Sequence, residues 1–506
     1  MTMTTQSEIE RKYDVDETAV LPDLGSIARV EPAGEADLEA EYFDTERGDL
    51  AAHRIVLRRR RGGADEGWHI KLPAAEGRTE LHWPLTDDDA PPAEIVDRVR
   101  SRVRGRELAV IARLRTHRVL AHLVDEAGAA LVEVADDTVS ATDVSTGILR
   151  LWREWEVELL DGAPDTESER TALLDRVGER LTAAGAVPSA SRSKLATALG
   201  RTELDAAAGA RPDDTVALTK SSPASSVLLV SIAALVDDLA RIDPLVRADE
   251  PDAVHQLRTR IRRLRSLFAS YRTVFDPAVT GPLRDRLQAV GTVLGDARDA
   301  EVMGERARTL LDGYWPQSDE VDERLHGWWD RVYASAHDGA VAGLSGDEWF
   351  SLLDDLDAFV AAPALAAQAD QPASEVVPPA LRADLDRVLK RAKAAAAGDG
   401  ADELALLHEV RKAAKRLRYA AEAVSQGDAA VFGKRTRKLA AAAEAVHDLL
   451  GEHRDSVLMQ NHLRQTAGSG AHAFDYGVLH EVERHGAALC LADYPAALAE
   501  LKALRS

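Results

Sequence analysis

The sequence predicts an α+β multidomain protein: an N-terminal antiparallel β-barrel with flanking helices, followed by an all-α bundle built by duplication. Three observations predict it. Through residue 200, short runs alternate apolar with charged residues between Gly- and Asp-rich turns, which is the period of strands. From about residue 225 apolar residues recur at three and four, and β-branched runs become scarce. Within that helical region a pattern of basic residues occurs twice at identical offsets.

A chain of 506 residues holds two or three domains. A hydrophobic content of 45% is that of folded protein. No run approaches the roughly 20 apolar residues of a membrane helix, and the opening MTMTTQSEIERK lacks a basic-then-apolar leader layout. Cys490 stands alone, which excludes an internal disulfide and a cysteine metal site and points to the cytoplasm. The net charge of −23 argues against general nucleic-acid binding, whose affinity rests on phosphate neutralisation. The positive charge is nevertheless clustered at 58–61, 258–265 and 411–418, which suits a specific polyanion.

The first strand carries Glu8, Glu10 and Lys12 on one face, because strand side chains alternate. Two acids and a base make a poor core surface, since burying unpaired charge is costly. They make a good surface for a divalent cation beside a phosphate. Ile55 to Arg61, the Gly-rich 62–67 and Trp68 to Lys71 read as a hairpin. Two further hairpins follow at 120–134 and 130–144, with turns expected at Asp125 to Gly128 and at Asp136-Asp137. A last strand spans 151–160. Successive strands with charge at alternate positions suggest a barrel with a polar interior. Strict alternation cannot put both Arg115 and Arg118 on one face without a bulge. The domain limits expected are 1–200, a linker over 201–224 rich in Ala, Gly, Pro and Ser, and 225–506. The last comprises repeats at about 225–361 and 381–506, with an Ala/Pro-rich stretch at 362–380.

In the helical region His255, Arg258, Arg262 and Arg265 recur as His408, Arg411, Lys415 and Arg418. At 100° per residue each set falls within about 80°, forming one stripe beside the apolar Leu257, Ile261, Leu264 and Phe268. Like charges so placed repel, so an anion should compensate them. Downstream of each copy comes LGxxRD: Leu294, Gly295, Arg298 and Asp299, then Leu450, Gly451, Arg454 and Asp455. Trp328, Trp329 and Tyr333 have the spacing of helix-packing residues. His447 and His453 lack a third ligand and read as phosphate-facing or solvated. No G-x-x-x-x-G-K-[ST] loop is present, so an ordinary nucleotide-hydrolase has no support.

The region from about 220 to 506 resembles the CHAD domain, through H-x-x-R-x-x-x-[RK]-R-L-R followed by LGxxRD in both copies. The resemblance implies polyphosphate binding along a basic surface made by His255, Arg258, Arg262, Arg265, His408, Arg411, Lys415 and Arg418, without catalysis. The first 200 residues resemble the CYTH family, the triphosphate tunnel metalloenzymes. The matches run in order: Glu8-x-Glu10-x-Lys12, Tyr42 to Thr45, Arg58 and Arg60, Lys71, Arg78 and Glu80, Arg115 and Arg118, Glu133 with Asp136, Glu156 and Glu158, and Ser193-Lys194. That resemblance implies a hydrolase of inorganic triphosphate or short polyphosphate. Glu8, Glu10, Glu156 and Glu158 would hold Mg²⁺ or Mn²⁺. Lys12, Arg58, Arg60, Lys71, Arg115, Arg118 and Lys194 would cradle the phosphates, with Glu8, Glu10 and Lys12 as the catalytic group. His82 departs from the family pattern, where a further acid is often found. A non-catalytic polyphosphate-binding protein, an ATP cyclase and a thiamine-triphosphatase stay open as alternatives. The expected partners are inorganic triphosphate and polyphosphate, with no membrane, and a cytoplasmic location that extends to polyphosphate granules.

Overall fold

The computed structural model describes residues 3–191, 193–201, 217–314, 319–398, 403–467 and 472–505. The chain divides into two compact units, Met1–Ala210 and Arg211–Ser506. Most of the linker expected over 201–224 falls on 202–216, outside the described residues.

The first unit is one antiparallel sheet with short helices. In chain order its elements are β1 (Thr4–Glu8), β2 (Glu10–Val15), β3 (Arg29–Asp44), α1 (Asp49–Ala52), β4 (Val56–Arg61), β5 (Gly67–Pro73) and β6 (Arg78–Trp83). There follow α2 (Ala93–Val103), β7 (Ala109–Val124), β8 (Ala130–Asp143), β9 (Leu149–Leu159), α3 (Glu167–Ala183), β10 (Val187–Pro188) and α4 (Lys194–Ala198). The strand order is β1-β6-β5-β4-β3-β7-β8-β9-β2-β10. Since β1 and β2 are joined by the single residue Ile9, the sheet closes on itself as a barrel.

The barrel is apolar outside and charged inside. Tyr13, Leu123, Val132, Val134, Trp155 and Val157 face outward and are covered by Leu173, Leu174, Val177 and Leu181 of α3. Gly178 of α3 makes this approach possible, because a Cβ there would lie 2.3 Å from the Tyr13 hydroxyl. On the other side Ile95, Val99 and Val103 of α2 cover Phe43, Leu57, Trp68, Ile70 and Trp83. Burial of these outer side chains supplies the core, at about 1.5–3 kcal/mol for each large one. The interior is thereby left free for polar groups. Some of it is filled by α4, whose Leu195, Ala196 and Ala198 pack on Tyr42, Val56, Leu114, Val139 and Ala141.

One element of this unit departs from expectation. The turn expected at Asp136-Asp137 is absent, and β8 runs through it. Asp136 pairs with Arg153 at 2.6 Å and Asp137 with Arg118 at 2.6 Å. Cross-strand cations on both faces hold two adjacent aspartates in a strand. The Asp44 carboxylate accepts the backbone N–H groups of Thr45, Leu50 and Ala51 at 2.7–2.9 Å and so anchors α1.

The second unit is helical: α5 (Ala224–Arg247), α6 (Ala253–Ser270), α7 (Pro277–Tyr314), α8 (Asp319–Leu344) and α9 (Asp347–Ala361), then α10 (Ala373–Ala396), α11 (Glu403–Glu422), α12 (Lys434–Ala467) and α13 (Ala473–Ala503). The two basic motifs lie on α6 and α11, and LGxxRD on α7 and α12. Pro223 and Pro372, each preceding the first helix of its half, form an antiparallel bridge, as duplicated halves would. The second half starts earlier than 381, because α10 begins at Ala373 and carries Pro378 and Pro379. Two prolines cost helical hydrogen bonds, but burial of Val376, Val377, Leu381, Leu385 and Val388 outweighs them.

Candidate functional site: a charged tunnel and a basic channel

Strand register brings the charged residues into the barrel in rows. Glu10 of β2 stands opposite Glu158 of β9, which stands opposite Glu133 of β8. One step along, Lys12 stands opposite Glu156. A cavity of 360 Å³ is lined by Glu8, Glu10, Lys12, Arg58, Arg60, Lys71, Glu80, Arg118, Glu133, Glu156, Glu158 and Lys194. It continues into a vestibule lined by Arg54, Gly77, Arg78, Ser189 and Ser191, which shares Glu8, Glu10 and Lys12.

The charges sort into two groups. Around Glu156 they are balanced. Its carboxylate pairs with Lys12, with Lys194 at 2.5 Å and with Arg118 at 2.5 Å. Burial opposes the charged forms here, but the ion pairs outweigh it. Glu156 lies well below the usual carboxylate range, and Lys12 and Arg118 lie above theirs. Asp137, Glu154 and Glu156 bring oxygens within 4.8 Å of one another, as a metal site would. The ammonium of Lys194 already stands among them, 2.9, 2.6 and 2.5 Å from the three carboxylates. Lys194 is the first residue of α4, placed there by the Ser193 cap, whose hydroxyl accepts the Ala196 N–H at 3.1 Å.

The second group has an excess of negative charge. Glu8, only 3% exposed, pairs with Lys71 through one oxygen, and its Oε2 has no hydrogen-bond partner among the described residues. Glu10 accepts from Lys12 at 2.9 Å. Burial, with Glu8 and Glu10 close by, pushes the Glu158 carboxyl up to about 8. A buried carboxylate oxygen without a hydrogen-bond partner among the described residues stands beside two further carboxyl groups, a place where a cation would relieve the clustered negative charge. The all-oxygen donor set of Glu8, Glu10 and Glu158 therefore fits Mg²⁺ or Mn²⁺. Glu156, engaged by three bases, is less suited than these three.

Glu80 belongs to the cation side. Burial pushes its pKa up, but His69 at 2.8 Å, Lys71 and Arg58 bring it below the usual range. His82 faces neither group: its ring lies 4.7 Å from that of His69, and its Nε2 is 3.2 Å from the Glu66 carbonyl oxygen. Arg115 is corrected. Alternation holds along β7 with Leu114, Thr116 and Arg118 inside, so Arg115 points outward, 81% exposed, and pairs with Glu39 at 3.0 Å. Sequence reading missed Glu154 and Asp137 as holders of Lys194. The Glu154-x-Glu156-x-Glu158 alternation was the available signal.

In the helical unit α6 packs against α11, which brings the two stripes together. Arg258 donates to the Gly295 carbonyl at 3.2 Å and to Asp299 at 3.0 Å. Gly295 and Gly451 of the two LGxxRD motifs have equivalent roles. A Cβ on Gly295 would lie 3.2 Å from the Arg258 guanidinium, and one on Gly451 3.1 Å from that of Arg411. Each glycine makes room for the arginine of its own half. Burial, then Arg258, lowers Arg262 to about 10. Burial and the like charges of Arg262, Arg411, Arg258 and Arg454 push Lys415 well down. Such mutual repulsion shows cations gathered in excess of acids.

Other members of the stripes differ. Arg418 is tied to Glu422 and Glu444, both at 2.7 Å, and Arg265 donates to Gln288 at 2.8 Å. These two lie outside the convergent group. His255 and His408 are lowered by burial and by nearby arginines or lysine. His447 is lowered to about 3 by burial and by Lys415 and Arg411, His453 is lowered by burial, and both are buried rather than solvated. Trp328 and Trp329 pack edge to face with His462 beside them.

Comparison with known proteins places both halves. Residues 6–180 match the CYTH domain and residues 231–464 the CHAD domain. An uncharacterized protein of Mycobacterium tuberculosis (strain CDC 1551 / Oshkosh) is 39% identical over 98% of this chain and 97% of its own length. A counterpart in strain ATCC 25618 / H37Rv matches equally. Among solved structures, the CHAD domain from the plant Ricinus communis is 25% identical, covering 57% of this chain and 94% of that one, with a TM-score of 0.45. PptA from Streptomyces chartreusis is 22% identical, covering 55% and 99%, with a TM-score of 0.44. No helix among the described residues is long and apolar enough to cross a membrane.

Proposed function

Because this chain belongs to the family that joins a CYTH domain to a CHAD domain, we propose that its barrel hydrolyses inorganic triphosphate and short polyphosphate with Mg²⁺, while its helical unit binds polyphosphate. The CYTH domain makes it a member of the triphosphate tunnel proteins, a metalloenzyme family. The observation that carries the reading is the division of one cavity into an unbalanced carboxylate group, Glu8, Glu10 and Glu158, beside a wall of buried cations.

Phosphoryl transfer needs positioning and neutralisation of oxygen charge more than covalent help. Arg58, Arg60, Arg118, Lys12 and Lys194 approach from several strands and α4, and hold a phosphate chain along the tunnel. Their side chains are buried (Arg58 and Lys12 12% exposed), so water screens them little and they are oriented before substrate arrives. Glu156 keeps Lys12, Arg118 and Lys194 at fixed separations. Glu8, Glu10 and Glu158 would hold the divalent cation, which supplies Lewis-acid neutralisation of phosphoryl oxygen charge. Lys71 of β5, two strands from β1 in the sheet, pairs with Glu8 and orients it. In the helical unit Arg258, Arg262, Arg411, Lys415 and Arg454 offer charge in excess of nearby acids, which a polyanion would relieve.

The test is phosphate release from triphosphate, ATP and thiamine triphosphate with Mg²⁺. The expected result is preference for triphosphate, and loss of turnover by at least about 1,000-fold in the Glu8→Ala, Glu10→Ala double variant. Equal rates in the parent and the double variant would refute the reading.

A further inference from the structure

Residues 62–66 join β4 to β5 at the end of the β4–β5–β6 wall opposite Arg54, Gly77 and Arg78. Gly63, Ala64 and Asp65 of this loop line the tunnel cavity. The loop turns over the rim because Gly62 and Gly63 hold φ of +82° and +80°, a region that side chains disfavour. A Cβ on Gly62 would come 2.4 Å from the Asp37 carbonyl oxygen, so the loop rests directly on β3. Its backbone is also held from below. His69 Nε2 lies 3.0 Å from the Asp65 carbonyl oxygen, and His82 Nε2 lies 3.2 Å from that of Glu66. His82 thus has a place in the fold, on the loop and away from the carboxylates.

In this position the Asp65 carboxylate pairs with the Arg60 guanidinium. Arg60 is 5% exposed, and burial with Arg58 and Arg118 nearby lowers it to about 9. A carboxylate therefore stands against a buried tunnel cation at the loop-bearing end of β4, where a phosphate chain running past Arg60 would go. We propose that Asp65 is a specificity-determining residue which closes this end of the tunnel and limits the length of phosphate chain it accepts. The inference rests on the triphosphate reading above and narrows it. A chain extended past Arg60 must displace Asp65 and bring phosphate oxygens beside a carboxylate, two like charges at close range. The vestibule at Arg54, Arg78, Ser189 and Ser191 is then the way in.

The test uses the full chain in an Arg258→Glu, Arg411→Glu background, which weakens binding by the helical unit, with Asp65, Asp65→Asn or Asp65→Glu. Dissociation constants for inorganic triphosphate and inorganic tetraphosphate are measured by calorimetry. Asp65→Asn is expected to shift the ratio toward tetraphosphate by about tenfold, the effect of one close charge pair. Asp65→Glu is expected to keep the parent ratio, which a purely steric role would not require. An unchanged ratio in Asp65→Asn overturns the proposal. Turnover on the same proteins is a separate readout: a parent chain that binds triphosphate but never hydrolyses it overturns the triphosphatase reading, while the binding ratio still decides Asp65. The side chain of Asp65 is 58% exposed, so the variants leave the core untouched.

Discussion

The tunnel and the helical channel both gather arginine and lysine, but they treat the charge in opposite ways. In the tunnel Lys12, Arg118 and Lys194 are each paired with Glu156, and the ion pairs outweigh the cost of burial. In the channel Arg262 and Lys415 face cations of their own sign, and burial weakens them. The first arrangement fixes its side chains in place, as the proposed phosphoryl transfer would require. The second gathers repulsion that a polyanion would relieve, in keeping with the binding proposed for it. The tunnel also holds a second group of carboxylates left unbalanced, and the channel has no counterpart to it among the described residues.

The comparison breaks most visibly at Lys12. Lys12→Ala should lower kcat on triphosphate about 100- to 1,000-fold. Lys194 and Arg118 still hold Glu156, so the melting temperature should change little. A large loss of stability with modest loss of rate would make Lys12 structural. Next in size, Arg258→Glu with Arg411→Glu should weaken polyphosphate binding about tenfold or more and flatten the slope of log Kd against log salt. Triphosphate turnover in the same variant should stay at the parent level.

The pH behaviour sharpens the same contrast. His255, His408 and His447 are held below the usual histidine range by burial and neighbouring cations. A bound polyanion would raise them again, so binding should take up protons. Affinity should therefore rise as pH falls between the free and bound values. Calorimetry in two buffers of different ionisation enthalpy measures that uptake. For the tunnel, Glu158 titrates near 8 when folded and near 4.5 when unfolded. Without metal its contribution to stability is present below 4.5 and lost as pH rises through 8. Mg²⁺ should raise the melting temperature more at about pH 8 than at about pH 6, and an equal shift at both would remove Glu158 from the metal set. The smallest effect is expected at Arg115. Arg115→Ala should change kcat/KM by less than about twofold, since one exposed ion pair is all it loses.

Much of this was legible in the chain. Alternation in Glu8-x-Glu10-x-Lys12 and in Glu156-x-Glu158 announced a charged strand face, and β2 and β9 set Glu10 and Lys12 opposite Glu158 and Glu156. The same alternation forced a choice between Arg115 and Arg118. The turn expected at Asp136-Asp137 failed because turn propensity is local, whereas Arg153 and Arg118 reach those aspartates from other strands. The start of α10 was hidden by Pro378 and Pro379, which read as a helix break until the burial of Val376 and Val377 is known.

By itself the sequence determined which side chains share a face, because a strand repeats every two residues and a helix every 3.6. It therefore pointed to the barrel with a polar interior and the duplicated basic helices, while its motifs carried the resemblance to the CYTH and CHAD families. Only the tertiary structure decided which charges are balanced. Lys194 meets Glu156 from α4, Arg258 meets Gly295 across two helices, and Asp65 reaches Arg60 through the bend of a glycine loop. Face is a property of the local backbone, while a partner is a property of packing between elements. Whether a buried charge is neutralised depends on that partner, and so does the difference between holding a metal, holding a phosphate chain and closing a tunnel.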